Sequence, residues 1–422
     1  MAGNRRRPSL ALRLWLALGR AIQPLLPWHL KRRISRGKED PERWREKLGY
    51  ASATRPAGRL IWLHAVGLGE VLALRGLIAR LAMLEPETSF LVTSGTRASA
   101  EVFARNLPPR TLHQFAPLDA PGPTRRFLAH WRPDLSIWAE QEIWPGLVFH
   151  ADRAGIPLAL VNARMNVAAF RRRQRGAALY RDILPRFAVI SAQDNKTAEH
   201  LAALGAPLVS TDGSLKRIAP PLTDAPGKRA DMARQIGTRP FWLAASTHAS
   251  DEAMALEAHA QLLAMQPDAL LVIVPRFPER APEIHAAIRS LGFSCTWRSR
   301  SEPVNAETQV YLADTFGELG LFYRLAPAAF IGGTTSEIEG HNPWEAAQLG
   351  CAILHGPRTA NFADDYAALI AAGAARQVDR PEDLADALSD PALPEMTDRA
   401  MSAARDNMDR LNHLCQKLID LL

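Results

Sequence analysis

Cysteine is scarce in this 422-residue chain: Cys295, Cys351 and Cys415 are odd in number and far apart. Neither a disulfide framework nor a metal-ligand spacing can be written from them, which fits a reducing compartment. A long uncharged apolar run is missing too. The most apolar stretch, residues 8–30 (PSLALRLWLALGRAIQPLLPWHL), is interrupted by Arg13 and Arg20. A membrane-spanning helix wants about 20 apolar residues without such charges. No small-residue cleavage site follows the stretch, so it does not read as a secretory signal. Positive charge is lacking in the body of the chain. Residues 1–50 hold 13 Lys/Arg against four acids, a net +9; the whole chain is +7, which leaves −2 for the other 372 residues. A nucleic-acid binder would spread its basic residues over a folded face, so nucleic acid is not expected as a partner. Short repeats and low-complexity tracts are absent as well.

What the N-terminus does contain is a basic, apolar arm over residues 1–35. A helix lying in the plane of an anionic membrane surface fits it, with Leu and Trp in the apolar layer and the cations against lipid headgroups. Arg5, Arg6 and Arg7 before the helix and the basic cluster from Lys31 after it favour the cytoplasmic side. The alternative is a solvated, partly disordered terminus.

The remaining chain is ordinary globular material, 47% hydrophobic and 23% charged, long enough for two α/β domains with separate cores. Short apolar runs alternate with longer amphipathic ones. RLIWLHA (59–65), FLVTS (90–94), DLSIWAE (134–140), PLALVNA (157–163) and FAVISA (187–192) read as buried strands, and 70–84 as a helix. Strand and helix at this spacing predict a parallel sheet covered on both faces. The Pro-rich stretch 217–229 interrupts the rhythm and is the expected linker. The pattern restarts with FWLAAS (241–246), ALLVIVP (269–275), VYLAD (310–314), AAFIGG (328–333) and CAILHG (351–356), and 395–420 reads as a closing helix. The expected domains are 36–216 and 230–422, doubly wound, with ligands at the carboxyl ends of their sheets.

Polar clusters follow several of these strands. In His64-Ala65-Val66-Gly67-Leu68-Gly69-Glu70 a strand ends, glycines permit a tight turn, and a helix opens on a carboxylate. Glu70 suits a general base for a hydroxyl, or it simply complements the helix dipole. Glu140-Gln141-Glu142-Ile143-Trp144-Pro145 runs a strand into paired acids before a helix opened by proline. Those acids suit acid–base work or acceptor binding; helix capping is the other reading. Lys216 in Gly213-Ser214-Leu215-Lys216, Ser246 and Thr247 before His248, and Arg276 after strand 269–275 are residue types that hold phosphate or sugar. Arg280 reads as a helix-surface charge. Gly332-Gly333-Thr334-Thr335, followed by a helix opening at Asn342 or Pro343, forms a candidate phosphate cradle or a simple turn.

Taken in order, HAVGLGE, EQEIWP, GSLK, STH, PRFPER, FGEL, the GG…GHN…E run and GPRTANF resemble the motifs of the 3-deoxy-D-manno-octulosonic acid (Kdo) transferase family, from about residue 36 to about residue 378. The resemblance implies a GT-B type fold of two Rossmann-like domains facing a cleft, with an N-terminal membrane contact. It implies an inverting transferase moving Kdo from CMP-Kdo to a lipid A precursor at the cytoplasmic face of the bacterial inner membrane. Glu70 matches the family's general base and Glu140 its second cleft glutamate. Lys216, Ser246, Thr247 and Arg276 match positions around the donor's carboxylate and phosphate. Gly332, Gly333, Asn342 and Glu345 match the nucleotide site, with Glu345 on the ribose hydroxyls. No metal or other cofactor is implied: no Asp-x-Asp motif stands at a strand end, and Lys and Arg can neutralise a leaving phosphate. The chain departs from the family pattern at Gly67 (usually Ser), Ser214 (usually Asn), Phe277 (usually His), Glu339 (usually Gly) and Trp344-Glu345-Ala346 (usually Leu-Glu-Pro). Two alternatives remain at this level: a related transferase with another nucleotide sugar or acceptor, and a catalytically silent membrane-associated paralogue.

Overall fold

The computed structural model describes residues 7–104, 107–141, 143–218 and 221–422. Arg5, Arg6, Glu142 and residues 219–220 of the expected linker lie outside the described residues. The chain divides into two units, Met1–Pro220 with Asn407–Leu422, and Pro221–Asp406.

The first unit holds β1 (Leu60–His64), β2 (Ser89–Ser94), β3 (Thr111–Phe115), β4 (Leu135–Ala139), β5 (Leu158–Ala163), β6 (Val189–Ala192) and β7 (Ser210–Thr211). They form one parallel sheet in the order β3-β2-β1-β4-β5-β6-β7. Every residue of β1, β4 and β5 is buried, as expected where helices cover both faces of a parallel sheet. Side chains alternate between the faces. Leu60, Trp62, Trp138 and Leu160 pack with Phe127, Trp131 and Leu147. Ile61, Leu63, Ile137 and Val161 pack with Val71, Leu74, Leu77 and, from the chain's last helix, Leu411, Leu414 and Leu418.

The second unit holds β8 (Phe241–Thr247), β9 (Leu270–Pro275), β10 (Cys295–Trp297), β11 (Val310–Leu312), β12 (Ala328–Ile331), β13 (Ala352–His355) and β14 (Ala375–Gln377). This sheet is also parallel, ordered β10-β11-β9-β8-β12-β13-β14. The winding direction reverses between β1 and β4 in the first sheet and between β8 and β12 in the second. Open α/β sheets bind ligands beyond the carboxyl ends of the strands at such a reversal.

The boundaries differ from the sequence expectation in three places. Helix Pro226–Ile236 starts inside the expected linker, with Pro226 in its first turn. The final helix, Leu393–Ile419, begins in the second unit, but its residues from Asn407 belong to the first. The arm is not separate from the first unit either. Helix Leu10–Ile22 buries Leu12 in the first unit's core, its cap Ser9 donates its N–H to Asp182 at 2.5 Å, and Trp15 Nε1 donates to Asp119 at 2.9 Å. No helix among the described residues is long and apolar enough to cross a membrane.

Candidate active site

In the first unit β1 ends at His64, and the chain turns through Ala65-Val66-Gly67 into helix Leu68–Leu84. Glu70 is the third residue of that helix. Its Oε2 accepts the N–H groups of Val66 at 2.9 Å and Gly67 at 3.2 Å. The capping alternative is thus realised, and the same bonds fix the carboxylate at the reversal point. Oε1 has no hydrogen bond among the described residues. A Cβ on Gly67 would lie 3.4 Å from that Oε1, so this glycine leaves the edge of the carboxylate open. Behind the turn His64 is wholly buried, with Nδ1 2.9 Å from Thr93 Oγ1. Its ring meets Trp138 and Trp144 edge to face at 4.9 and 4.7 Å. Burial pushes its pKa down to about 3, so the ring is a neutral wall.

Across the same reversal, Glu140 follows β4 with φ +59, a backbone region that non-glycine residues seldom occupy. Its N–H donates to Val161 O at 3.1 Å, and its Oε1 accepts from Asn162 Nδ2 at 3.4 Å. Arg173 fastens the next residue, bonding Gln141 Oε1 at 3.0 Å and Gln141 O at 3.2 Å. Lys216 sits on the single turn Leu215–Ile218. Its N–H reaches Ser214 Oγ at 3.3 Å, and its ammonium has no ion pair among the described residues.

In the second unit Ser246, Arg276, Asn342 and Glu345 share the lining of one cavity of about 470 Å³. Thr315, Phe316, Gly317 and His341 line it too. Ser246 interrupts β8 with φ +55, where the pairing with β9 gains one residue between Ala245 and Thr247. Glu345 is largely buried, which raises its pKa, while Asn342 and Arg276 pull it back down. His341 faces His248 with Nε2 atoms 3.0 Å apart. Burial, then the neighbouring charges of His248 and Arg276, take the His341 pKa down to about 4.

Thr247, Gly332 and Gly333 lie behind this lining. The Thr247 hydroxyl is buried and donates to Glu252 at 3.1 Å. Glu252 in turn holds Arg280 through two bonds of 2.9 Å, so Arg280 is a paired support and not the surface charge expected. Gly332 is required by closeness: a Cβ there would stand 2.2 Å from Ser246 O. The expected phosphate cradle is already filled. Asp251 accepts the N–H groups of Gly333 at 2.7 Å and Thr335 at 3.3 Å, and Gly332 N–H goes to Ala245 O at 2.8 Å. The helix expected at Asn342 is the single turn Trp344–Ala347, whose Trp344 N–H is capped by Asn342 Oδ1 at 3.1 Å. One turn adds little dipole.

Asp251 and the His248–His341 pair were not assigned from sequence. A capping pattern, His248 followed three residues later by Asp251, was the available signal.

Two units with parallel seven-stranded sheets, and polar residues gathered at their reversal points, define a fold of the GT-B type. A crystal structure of a glycosyltransferase from Rickettsia africae shares the fold, with a TM-score of 0.53 at 11% identity, covering 87% of this chain and 99% of that one. Residues 42–219 match the family described as 3-deoxy-D-manno-octulosonic-acid transferase (kdotransferase). A probable mitochondrial 3-deoxy-D-manno-octulosonic acid transferase of Arabidopsis thaliana is 35% identical, covering 92% of this chain and 90% of its own. The 3-deoxy-D-manno-octulosonic acid transferase of Haemophilus influenzae is 30% identical, covering 90% and 91%. The chain belongs to the Kdo transferase family.

Proposed function

We propose that the enzyme transfers Kdo from CMP-Kdo to a lipid A precursor, with inversion at the anomeric carbon, in lipopolysaccharide core biosynthesis. The observation that carries the reading is the pair of carboxylates, Glu70 and Glu140, following β1 and β4 on the two sides of the first sheet's reversal point. The acceptor hydroxyl gives its proton to Glu70 as its oxygen attacks the anomeric carbon and CMP departs. Glu140 orients the acceptor. Arg276 and Lys216 stabilise the donor's phosphate and carboxylate charge. Ser246 and Asn342 complete the donor site and Glu345 holds the ribose hydroxyls; Thr247, Gly332 and Gly333 support the strand ends from behind. The basic, apolar arm meets an anionic membrane at the cytoplasmic face of the bacterial inner membrane, where a lipid acceptor lies.

The test is to incubate the full chain with CMP-Kdo and a tetra-acylated lipid A precursor and to weigh the product. A mass increase of whole Kdo units is expected. Glu70→Gln keeps an oxygen that can accept from Val66 and Gly67, so the helix cap survives while basicity is lost. It should bind CMP normally and turn over about 10²–10⁴ times more slowly. Near-normal turnover in that variant would rule out Glu70 as the base, and no mass increase with the parent enzyme would rule out this donor–acceptor pair.

A further inference from the structure

Glu140 and Asn162 stand side by side beyond a paired position, Ala139 against Val161, in β4 and β5. Both are non-glycine residues with left-handed backbone, φ +59 and +54. At Asn162 the pairing of β5 with β6 gains one residue, since Leu160 and Ala163 oppose Ile190 and Ala192. Such bulges re-aim a side chain and cluster beside functional sites.

Backbone tolerance alone does not account for asparagine here. Glycine would adopt the same φ without steric cost, yet the Asn162 side chain, 1% exposed, is engaged at both ends. Its Nδ2 donates to Glu140 Oε1 at 3.4 Å, and its Oδ1 accepts the N–H of Leu215 at 2.9 Å. Its main-chain oxygen accepts from Gln193 Nε2 at 2.9 Å, which steadies the bulge from β6. One buried amide therefore joins the Glu140 carboxylate to the turn carrying Lys216.

We infer that Asn162 is a positioning residue for Kdo transfer, holding Glu140 and the Lys216 turn in a single frame. The inference rests on the roles proposed above for Glu140 and Lys216. Misplacement of a group by about 1 Å is enough to cost about 100-fold in rate, and loss of this amide removes one bond from Glu140 and one from the Lys216 turn at once.

The experiment is a double-mutant cycle on the full chain, with steady-state kinetics and melting temperatures for Asn162→Gly, Asn162→Asp, Glu140→Gln and the Asn162→Gly/Glu140→Gln pair. Asn162→Gly keeps the backbone and removes both side-chain bonds. It should lower kcat by about 10- to 100-fold and raise the KM for CMP-Kdo. Asn162→Asp keeps the Leu215 acceptor and sets a like charge against Glu140, so it should lose kcat while its CMP-Kdo KM stays near the parent's. In the Glu140→Gln background the further kcat loss from Asn162→Gly should shrink to less than about twofold. Parent-like kcat in Asn162→Asp, or a loss that remains fully additive with Glu140→Gln, overturns the inference and leaves Asn162 a packing residue. If Asn162→Gly does not fold, Asn162→Asp decides alone through the same split between kcat and KM. Glu140→Gln with undiminished turnover would overturn the reading of Glu140 itself, and the inference with it. An impaired Glu140→Gln beside an unimpaired Asn162→Asp would overturn only the inference.

Discussion

A buried histidine must stay neutral, and His64 lies wholly inside the first unit with Nε2 unpartnered among the described residues. Burial takes its pKa from 6.5 to about 3. Below 6.5 the unfolded chain binds a proton that the folded chain refuses, so stability falls as pH falls through the window from 6.5 to about 3. At pH 5 that amounts to about 2 kcal/mol. His64→Phe keeps a ring against Trp138 and Trp144 and removes the titration. Its melting temperature should drop less between pH 7.5 and pH 5 than the parent's. His113, His150 and His259, each lowered to about 4 by burial first, act in the same direction, so the slope should lessen without vanishing. Parallel slopes for parent and variant would show that His64 is not buried neutral. The neighbouring Glu70 shows what was legible at this scale. Its place at the start of a helix after a strand could be read from the glycines around it, but capping and base catalysis predict the same residue at the same spacing. Capping is visible in the bonds from Val66 and Gly67. Asp251 escaped because its chemistry is supplied by partners distant in sequence, Gly333 and Thr335, which no spacing rule joins to it.

One device recurs at the level of the strand ends. β5 and β8 each gain a residue against a neighbour, at Asn162 and at Ser246, with positive φ at both. The chain must then pass very close at Ser246, and Gly332 permits it. Gly332→Ala would set a Cβ 2.2 Å from Ser246 O and 2.8 Å from Thr247 Cα. These are main-chain atoms, so the ends of β8 and β12 must separate. The expected cost is about 1–3 kcal/mol of stability, together with weaker CMP binding by calorimetry as Ser246 leaves the cavity lining. Gly227→Ala, with open space around it and an ordinary helical position, is the control and should be neutral or slightly stabilising. Unchanged melting and CMP affinity in Gly332→Ala would refute the close approach. The strands themselves divide by position. Ten were legible as apolar runs because central strands of a covered parallel sheet are buried on both sides. The four that were not, β3, β7, β10 and β14, are the edges of the two sheets. They are mixed in polarity, and β7, β10 and β14 are also short, as at Ser210–Thr211 and Ala375–Gln377, because an edge has one neighbour and less burial to enforce a pattern.

At the scale of the whole molecule, two sheets could be read from a rhythm that stops and restarts, whereas the return of Asn407–Leu422 to the first unit could not. The amphipathic pattern of a closing helix says which face is apolar but not which core receives it. The arm poses the same question with a different answer. Its helix has two apolar faces. One, with Leu12 and Gly19, is buried against the first unit, where Gly19 approaches Asp119 O closely enough that a Cβ would lie 3.3 Å away. The other leaves Leu10, Leu14 and Leu18 between 59% and 72% exposed, and Leu25 and Trp28 in the turn and helix that follow are 61% and 62% exposed, beside the exposed cations Arg13, Arg20, Lys31 and Arg32. An exposed apolar stripe flanked by cations fits an anionic lipid surface. Deleting the arm is a poor test, since it would also uncover the core around Leu12 and leave Asp119 without Trp15. Replacing Leu14, Leu18 and Trp28 by Ser removes only the outward face and leaves the docking contacts intact. Each cation near an anionic surface contributes about 1 kcal/mol, screened by salt, while apolar insertion is not screened. The parent protein should therefore float with anionic liposomes at low salt and remain partly bound at high salt. The triple variant should keep its melting temperature, bind weakly at low salt and release completely at high salt. Its activity should persist on a detergent-dispersed acceptor and fall on vesicles. If the variant floats as well as the parent at high salt, the outward face of the arm is not the membrane contact.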